Sequence, residues 1–249
     1  MIATLAAFAP VELDEVVRLA DLQTRQDRKY LLPPREAETV LAGVDGRALE
    51  IDGRRCFRYE SVYFDTADRV SFLGAARRRP RRFKVRTRTY LDSGACLLEA
   101  KLRGRRGTTV KHRFPYDPEA RDRLTVMGAR CIGDLVEVAP HVDDLEPVLT
   151  VAYRRSTLVL DGRWGRVTVD EAVTWATSCD GARLDGLTLI ETKTPGPPGP
   201  VDRMMWRAGH RPVNISKYCT GMALLHQELP SNKWHRVLHH DVLPNLAEG

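Results

Sequence analysis

The chain has 249 residues, 43% of them hydrophobic and 29% charged, with 39 Lys and Arg against 33 Asp and Glu for a net charge of +6. This composition excludes general disorder, and the length is enough for a sizeable core in a single domain spanning residues 1–249. No stretch approaches the roughly 18 consecutive apolar residues of a membrane-spanning helix.

The first ten residues, MIATLAAFAP, carry no Lys or Arg ahead of their apolar part and do not read as a signal peptide. The first expected strand runs from Thr24 to Leu32. Pro34 to Ala42 reads as a helix, with proline at its start and Gly43 at its end. Strands follow at Phe57–Asp65, Arg82–Tyr90, Ala95–Arg103 and Thr108–Phe114, each rich in residues that favour the pleated surface. Turn chemistry at Asp92-Ser93-Gly94 and Gly104–Gly107 separates the last three. Leu135–Val142 is a weaker helix candidate. Further strands are expected at Leu149–Leu158, Arg163–Glu171 and Gly186–Lys193, with turns at Asp161-Gly162 and Asp180-Gly181. Thr194 to Pro200, with its four prolines and two glycines, reads as a stiff connection. Ser216 is placed to cap a helix through Cys219, Met222 and Leu225. Residues 228–249 read as a tail after a core of about 24–227, so that His235, His239 and His240 read as solvated rather than as a metal cluster. Eight strands joined mostly by short turns predict an α+β, mainly β fold: an eight-stranded antiparallel closed barrel with flanking helices.

Five cysteines without C-x-x-C spacing predict reduced thiols and a cytoplasmic protein. Charge is distributed unevenly. Residues 77–113 hold fourteen Lys or Arg and only two acids, Asp92 and Glu99, a local balance of +12. The remainder carries 25 basic against 31 acidic residues. A field concentrated in this way suits an anionic partner.

Alternation along the strands sharpens that reading, because residues two apart share a face. Lys84, Arg86 and Arg88 fall together, opposite Phe83, Val85, Thr87 and Thr89. Glu99, Lys101 and Arg103 lie opposite Leu98, Ala100 and Leu102. Lys111 aligns with Arg113, Arg166 with Thr168 and Asp170, Glu191 with Lys193, and Asp27 with Lys29. A solvated sheet face would mix its signs across the ladder. Here the cations are in excess. If the sheet closes, they converge on one lumen with the carboxylates Asp27, Glu99, Asp170 and Glu191, a set suited to a phosphate polyanion and a divalent cation. Aromatic residues, only 7% of the chain, seldom interleave with the cations, which disfavours nucleic acid.

The ordered motifs Arg28-Lys29-Tyr30, Tyr63-Phe64-Asp65-Thr66, Lys84-Val85-Arg86-Thr87-Arg88, Glu99-Ala100-Lys101, Lys111-His112-Arg113, Tyr153-Arg154-Arg155, Arg166 to Asp170, Glu191-Thr192-Lys193 and Ser216-Lys217-Tyr218 resemble the VTC domain. That is the polyphosphate polymerase domain of the triphosphate tunnel metalloenzymes, relatives of the CYTH-type triphosphatases. The resemblance covers roughly Thr24 to Leu225. It implies catalytic roles for Lys29, Arg86, Arg88 and Lys217. It implies substrate binding by Lys84, Lys101, Lys111, Arg155, Arg166 and Lys193, and Mn²⁺ or Mg²⁺ at Glu191 with Asp170 or Glu99. Glu99 and Asp170 equally suit ion-pair roles, toward Lys101 and Arg166. The implied activity is transfer of the terminal phosphoryl of ATP to phosphate or a growing polyphosphate chain. The alternatives are hydrolysis of inorganic or nucleoside triphosphate, or binding without turnover that reports to a protein partner. Two departures stand out. Asn214 replaces the lysine that the family's polymerases carry three residues before the last tunnel lysine. Arg25-x-Asp27-x-Lys29 lacks the first acid of the E-x-E-x-K opening of CYTH triphosphatases, which favours the VTC branch.

Overall fold

The computed structural model describes residues 3–20, 26–103 and 109–247. Thr24, Arg25, Thr108 and the expected turn at Gly104–Gly107 lie outside these residues. The strands are β1 (Ala9–Val11), β2 (Gln26–Leu32), β3 (Gly46–Leu49), β4 (Phe57–Asp65), β5 (Arg82–Tyr90), β6 (Cys96–Arg103), β7 (Thr109–Tyr116), β8 (Glu146–Leu160), β9 (Arg166–Ala176), β10 (Gly181–Arg183) and β11 (Thr188–Thr194). The helices are α1 (Leu13–Ala20), α2 (Pro34–Ala42), α3 (Val70–Ala76), α4 (Val126–Gly133), α5 (Pro200–Arg207), α6 (Lys217–Leu225) and α7 (His235–Val237).

One mainly antiparallel sheet organises the molecule. Its principal path is β2-β11-β9-β8-β4-β5-β6-β7, and these eight strands correspond one to one with the eight expected from sequence. The strand alternation holds. Phe83, Val85, Leu98, Ala100 and Leu102 are buried together on one face, with Ile132 of α4 packed against them. Tyr30, Leu32, Leu158, Val167, Val169 and Ile190 do the same beneath α2 and α5. The opposite face carries the charged residues.

The sheet is not the closed barrel expected. β2 and β7 end the hydrogen-bonded path and do not pair with each other among the described residues. The reason lies at the free edge of β2, which a non-strand segment covers: Val213 N–H donates to the Lys29 carbonyl (2.7 Å). A covered edge cannot accept another strand there, and it is protected from pairing with other chains. The sheet nevertheless curls. Lys101 of β6 lies within electrostatic reach of Lys29 on β2 and Lys84 on β5, although β2 and β6 are far apart in the strand order.

Helix positions follow local chemistry. Asp65, at the end of β4, accepts from Ser71 N–H (2.8 Å), Phe72 N–H (2.9 Å) and the Tyr218 hydroxyl. It thereby satisfies the first turn of α3 and ties it to α6. Asp202, also fully buried, accepts from Gly199 N–H (2.8 Å), Tyr30 Oη–H (2.8 Å), Thr192 Oγ1–H and Arg28 (3.3 Å). It fixes α5 against β2 and β11. The connection read as wholly irregular therefore ends at a helix, with Pro200 at its first position. Leu135–Val142 is not an α-helix. The helix lies earlier, at Val126–Gly133, where the Thr125 hydroxyl accepts from Gly128 N–H, and a 3₁₀ turn occupies Ala139–Asp144. The segment read as a tail is packed as well. Trp234, Val237, Leu238 and Val242 are buried in a cluster with Phe72, Trp175, Tyr218 and Met222. Tyr63 and Phe64 are buried. All five cysteines are free thiols.

Candidate functional site

The charged face gathers side chains from β2, β5, β6, β7, β8, β9, β11 and the start of α6. Its centre is built around two buried carboxylates. Glu99, 2% exposed, sits between Arg86 (2.7 Å), Arg88 (3.8 Å), Lys111 and Arg113 (3.5 Å). Asp170, fully buried, accepts a two-pronged bond from Arg155 (2.6 and 2.8 Å) and another from Lys217. Burial opposes ionisation of both acids. The arginines and lysines around them outweigh it, holding both carboxyls well below the usual range.

Lys217 is positioned by α6. The Ser216 hydroxyl caps that helix by accepting from Cys219 N–H, and Trp175 Nε1 donates to the Lys217 carbonyl (2.7 Å). Gly221 allows this approach, because a Cβ there would fall 2.2 Å from the Trp175 ring. The same turn reaches into the site twice more. Lys29 Nζ donates to the Ile215 carbonyl (3.0 Å) and Lys84 Nζ to the Ser216 hydroxyl (2.8 Å). Residues 213–216 thus link β2 to β5 across the charged face.

Next to the two carboxylates lies a region of like charge. Lys84, Lys101 and Lys111 are direct cross-strand neighbours on β5, β6 and β7, and Arg82 faces Arg103 two residues along. Like charges set directly opposite one another destabilise a sheet, so this ladder suits an anion. Partial desolvation within the curled sheet, reinforced by Lys29 and Lys84, pushes the Lys101 ammonium down to about 8, although the residue itself stays solvent-exposed. Burial also pushes Lys193 down to about 8, despite Glu191 at 2.6 Å, and Lys111 to about 6, where it competes with Arg88 and Arg86 for Glu99. Arg88 Nε and the Tyr153 hydroxyl, both buried, have no hydrogen-bond partner among the described residues. Buried polar groups are normally satisfied, so these two mark an incomplete set of contacts.

Three tyrosines complete the site; Tyr63 and Tyr153 lie in the sequence motifs without an assigned site role, and Tyr59 lies outside them. Tyr59 and Tyr153 stack at 5.3 Å. The Arg88 and Arg155 guanidinium groups lie over Tyr59 (5.8 and 5.5 Å), and Lys217 lies over Tyr153 (4.4 Å). Tyr63 Oη accepts from Arg86 (2.7 Å). Rings beneath cations hold them by quadrupole attraction without neutralising them. The signal was available, since Tyr153 is two residues from Arg155, as Tyr59 is four from Tyr63.

The expected metal ligands separate. Among the described residues no three His, Cys, Asp or Glu side chains come together. Glu99 lies among four cations and Asp170 between two, so a metal at either would compete with those ion pairs. The partners of Glu99 come from flanking strands rather than from Lys101 as expected. Glu191 is less crowded: among the described residues only Lys193 lies at ion-pair distance, and the carboxyl faces Lys29 across the ladder and is diagonal to Asp27. Magnesium sites at phosphates commonly use one or two carboxylates and fill the remaining positions with phosphate oxygens and water. Arg166, opposite Lys193 on β9, shares this side of the site. Asn214 donates to the Lys233 carbonyl (3.0 Å), so its amide ties the C-terminal segment down. His235 and His239 lie ring to ring at 4.2 Å, away from any such cluster.

Comparison with known proteins places this geometry. Among solved structures, the chain is similar to HpAC1 from Hippeastrum, proposed as an adenylyl cyclase and described as having a dominant triphosphatase activity. The identity is 15% over 79% of this chain and 94% of that one, with a TM-score of 0.51. A protein from Bacillus halodurans, proposed as an adenylate cyclase, is 11% identical over 78% and 94%, with a TM-score of 0.47. PH1819 from Pyrococcus horikoshii is 13% identical over 82% and 97%, with a TM-score of 0.46. No curated protein sequence matches the chain. The family model described as the VTC domain matches residues 24–226, more than three quarters of the chain. The chain belongs to the VTC domain family.

Proposed function

We propose that the protein binds ATP, inorganic triphosphate or polyphosphate along its charged inner face and transfers the terminal phosphoryl group to phosphate or a growing chain. The observation that carries this reading is the ladder of Lys84, Lys101 and Lys111, three lysines directly opposite one another. Phosphoryl transfer needs positioning and charge neutralisation above all. Lys84, Lys101, Lys111, Arg166 and Lys193 supply ammonium and guanidinium donors to phosphate oxygens. Arg86, Arg88 and Arg155 grip further oxygens while Glu99 and Asp170 hold their guanidinium planes in place. Lys217 is fixed by Asp170 and the ring of Tyr153, and Lys29 by the Ile215 carbonyl, so neither must reorganise when charge builds on the phosphoryl oxygens. Glu191, with Asp27 beside it, would hold Mn²⁺ or Mg²⁺, which supplies Lewis-acid neutralisation of the phosphoryl oxygens when bound.

A hydrolytic reading has specific support. Asn214 stands where polymerases of the family carry a lysine, and the structurally similar HpAC1 is described as mainly a triphosphatase. Water then replaces phosphate as acceptor on the same face. Incubation of the purified chain with ATP and Mn²⁺ or Mg²⁺ separates the readings. ADP with polyphosphate supports the polymerase, orthophosphate without chain growth supports the triphosphatase, and metal-dependent binding without turnover supports a sensing module.

A further inference from the structure

Outside the curled sheet, α5 and the turn after it form an open groove of about 560 Å³ lined by Arg203, Trp206, Arg207, Arg211 and Pro212. Among the described residues no carboxylate pairs with any of the three arginines. Asp202, the acid of the same helix, faces inward and is fully buried. Glu36 on α2 is engaged by His210 (3.0 Å). The groove therefore offers guanidinium N–H donors with no internal acceptor of opposite charge. Two of the arginines are held in position. Arg203 lies over Trp164 (5.3 Å) and donates to the Pro198 carbonyl (2.8 Å); Arg211 lies over Trp206 (6.0 Å) and donates to its carbonyl (3.2 Å).

We propose that this groove is a second anion site, and that its ligand is a condensed phosphate chain longer than triphosphate. The inference rests on the phosphate-binding reading of the inner face. Geometry connects the two. Arg211 and Pro212 line the groove, while Ile215 and Ser216, a few residues on, accept from Lys29 and Lys84 inside the site. The five residue steps from Arg211 to Ser216 span at most about 18 Å even when fully extended. One chain of linked phosphates can reach both. The choice of phosphate over nucleic acid follows from the rings: each tryptophan already carries a guanidinium on one face, so the stacking surface left for bases is reduced while the guanidinium donors remain for phosphate oxygens.

The test uses the full chain and two probes, long-chain polyphosphate and inorganic triphosphate. With saturating triphosphate present to fill the inner site, wild-type protein still binds labelled polyphosphate. Arg207→Glu, which alters a side chain without hydrogen bonds to its neighbours among the described residues, weakens that binding by roughly tenfold, and the triple change R203A/R207A/R211A weakens it further. Neither change alters triphosphate affinity. Unchanged polyphosphate binding in both variants overturns the proposal, as does a single-stranded oligonucleotide that displaces polyphosphate from the groove at lower concentration than polyphosphate itself. K84A/K101A provides the separate control. If it leaves triphosphate binding intact while Arg207→Glu abolishes polyphosphate binding, the inner-face reading fails and the groove stands.

Discussion

Replacing Glu99 by glutamine removes the one negative charge that Arg86, Arg88, Lys111 and Arg113 share. The carboxylate is 2% exposed, so water cannot take its place. Removing one partner of a buried ion cluster leaves uncompensated charge and costs about 3–5 kcal/mol. In a chain of this size each kcal/mol moves the melting temperature by roughly 2–4 °C, so the free variant is expected to melt roughly 6–20 °C lower. Triphosphate distinguishes this cluster from an ordinary structural one. A bound anion restores the missing counter-charge, so it raises the melting temperature of Glu99→Gln more than that of wild type. Circular dichroism melts with and without inorganic triphosphate measure both effects. A variant that melts with wild type, or a gap that triphosphate leaves unchanged, would refute the reasoning.

The two lysines pushed down to about 8 give a pH signature. Lys101 and Lys193 are charged below that value and lose their protons above it, so triphosphate affinity falls between pH 7 and 9, as a fluorescence titration would record. Free-protein stability moves the other way. Their folded values lie below the ordinary lysine value of 10.5, so the unfolded chain binds more protons between about 8 and 10.5 and these two groups make stability rise with pH in that window. Denaturant melts at several pH values check the sign. Asp65→Ala removes the acceptor for two helix N–H groups and the Tyr218 hydroxyl and is expected to cost about 3 kcal/mol or more in urea unfolding. Trp234→Ala, in the segment read from sequence as a tail, is expected to cost about 3–5 kcal/mol by the same measurement; a loss near zero would mean that the segment does not contribute to the core.

The strands were legible because each has one face buried against helices, which forces period-two alternation, as in Phe83-Lys84-Val85-Arg86. Cap chemistry was legible at Ser216 and Pro34, where one local residue decides the helix end. Closure was not, because it depends on what occupies the edge of β2, and Val213 reaches that edge from far along the chain. Similar non-local anchoring hid α5, whose buried Asp202 finds partners on β2 and β11. The apolar spacing of Trp234, Val237, Leu238 and Val242 was present in the sequence, but its position near the end and its flanking charges masked it. In the site, alternation identified which cations share a face. It could not say which acids they hold, since Glu99 and Asp170 take partners from neighbouring strands and from α6.

Calorimetric titration of inorganic triphosphate into wild type and Lys101→Ala at low ionic strength tests the central claim most directly. The account predicts saturable binding to wild type that weakens as salt is added and falls at least roughly tenfold in the variant, whose fold is intact. Absence of binding to wild type, or equal affinity in both proteins, would contradict it.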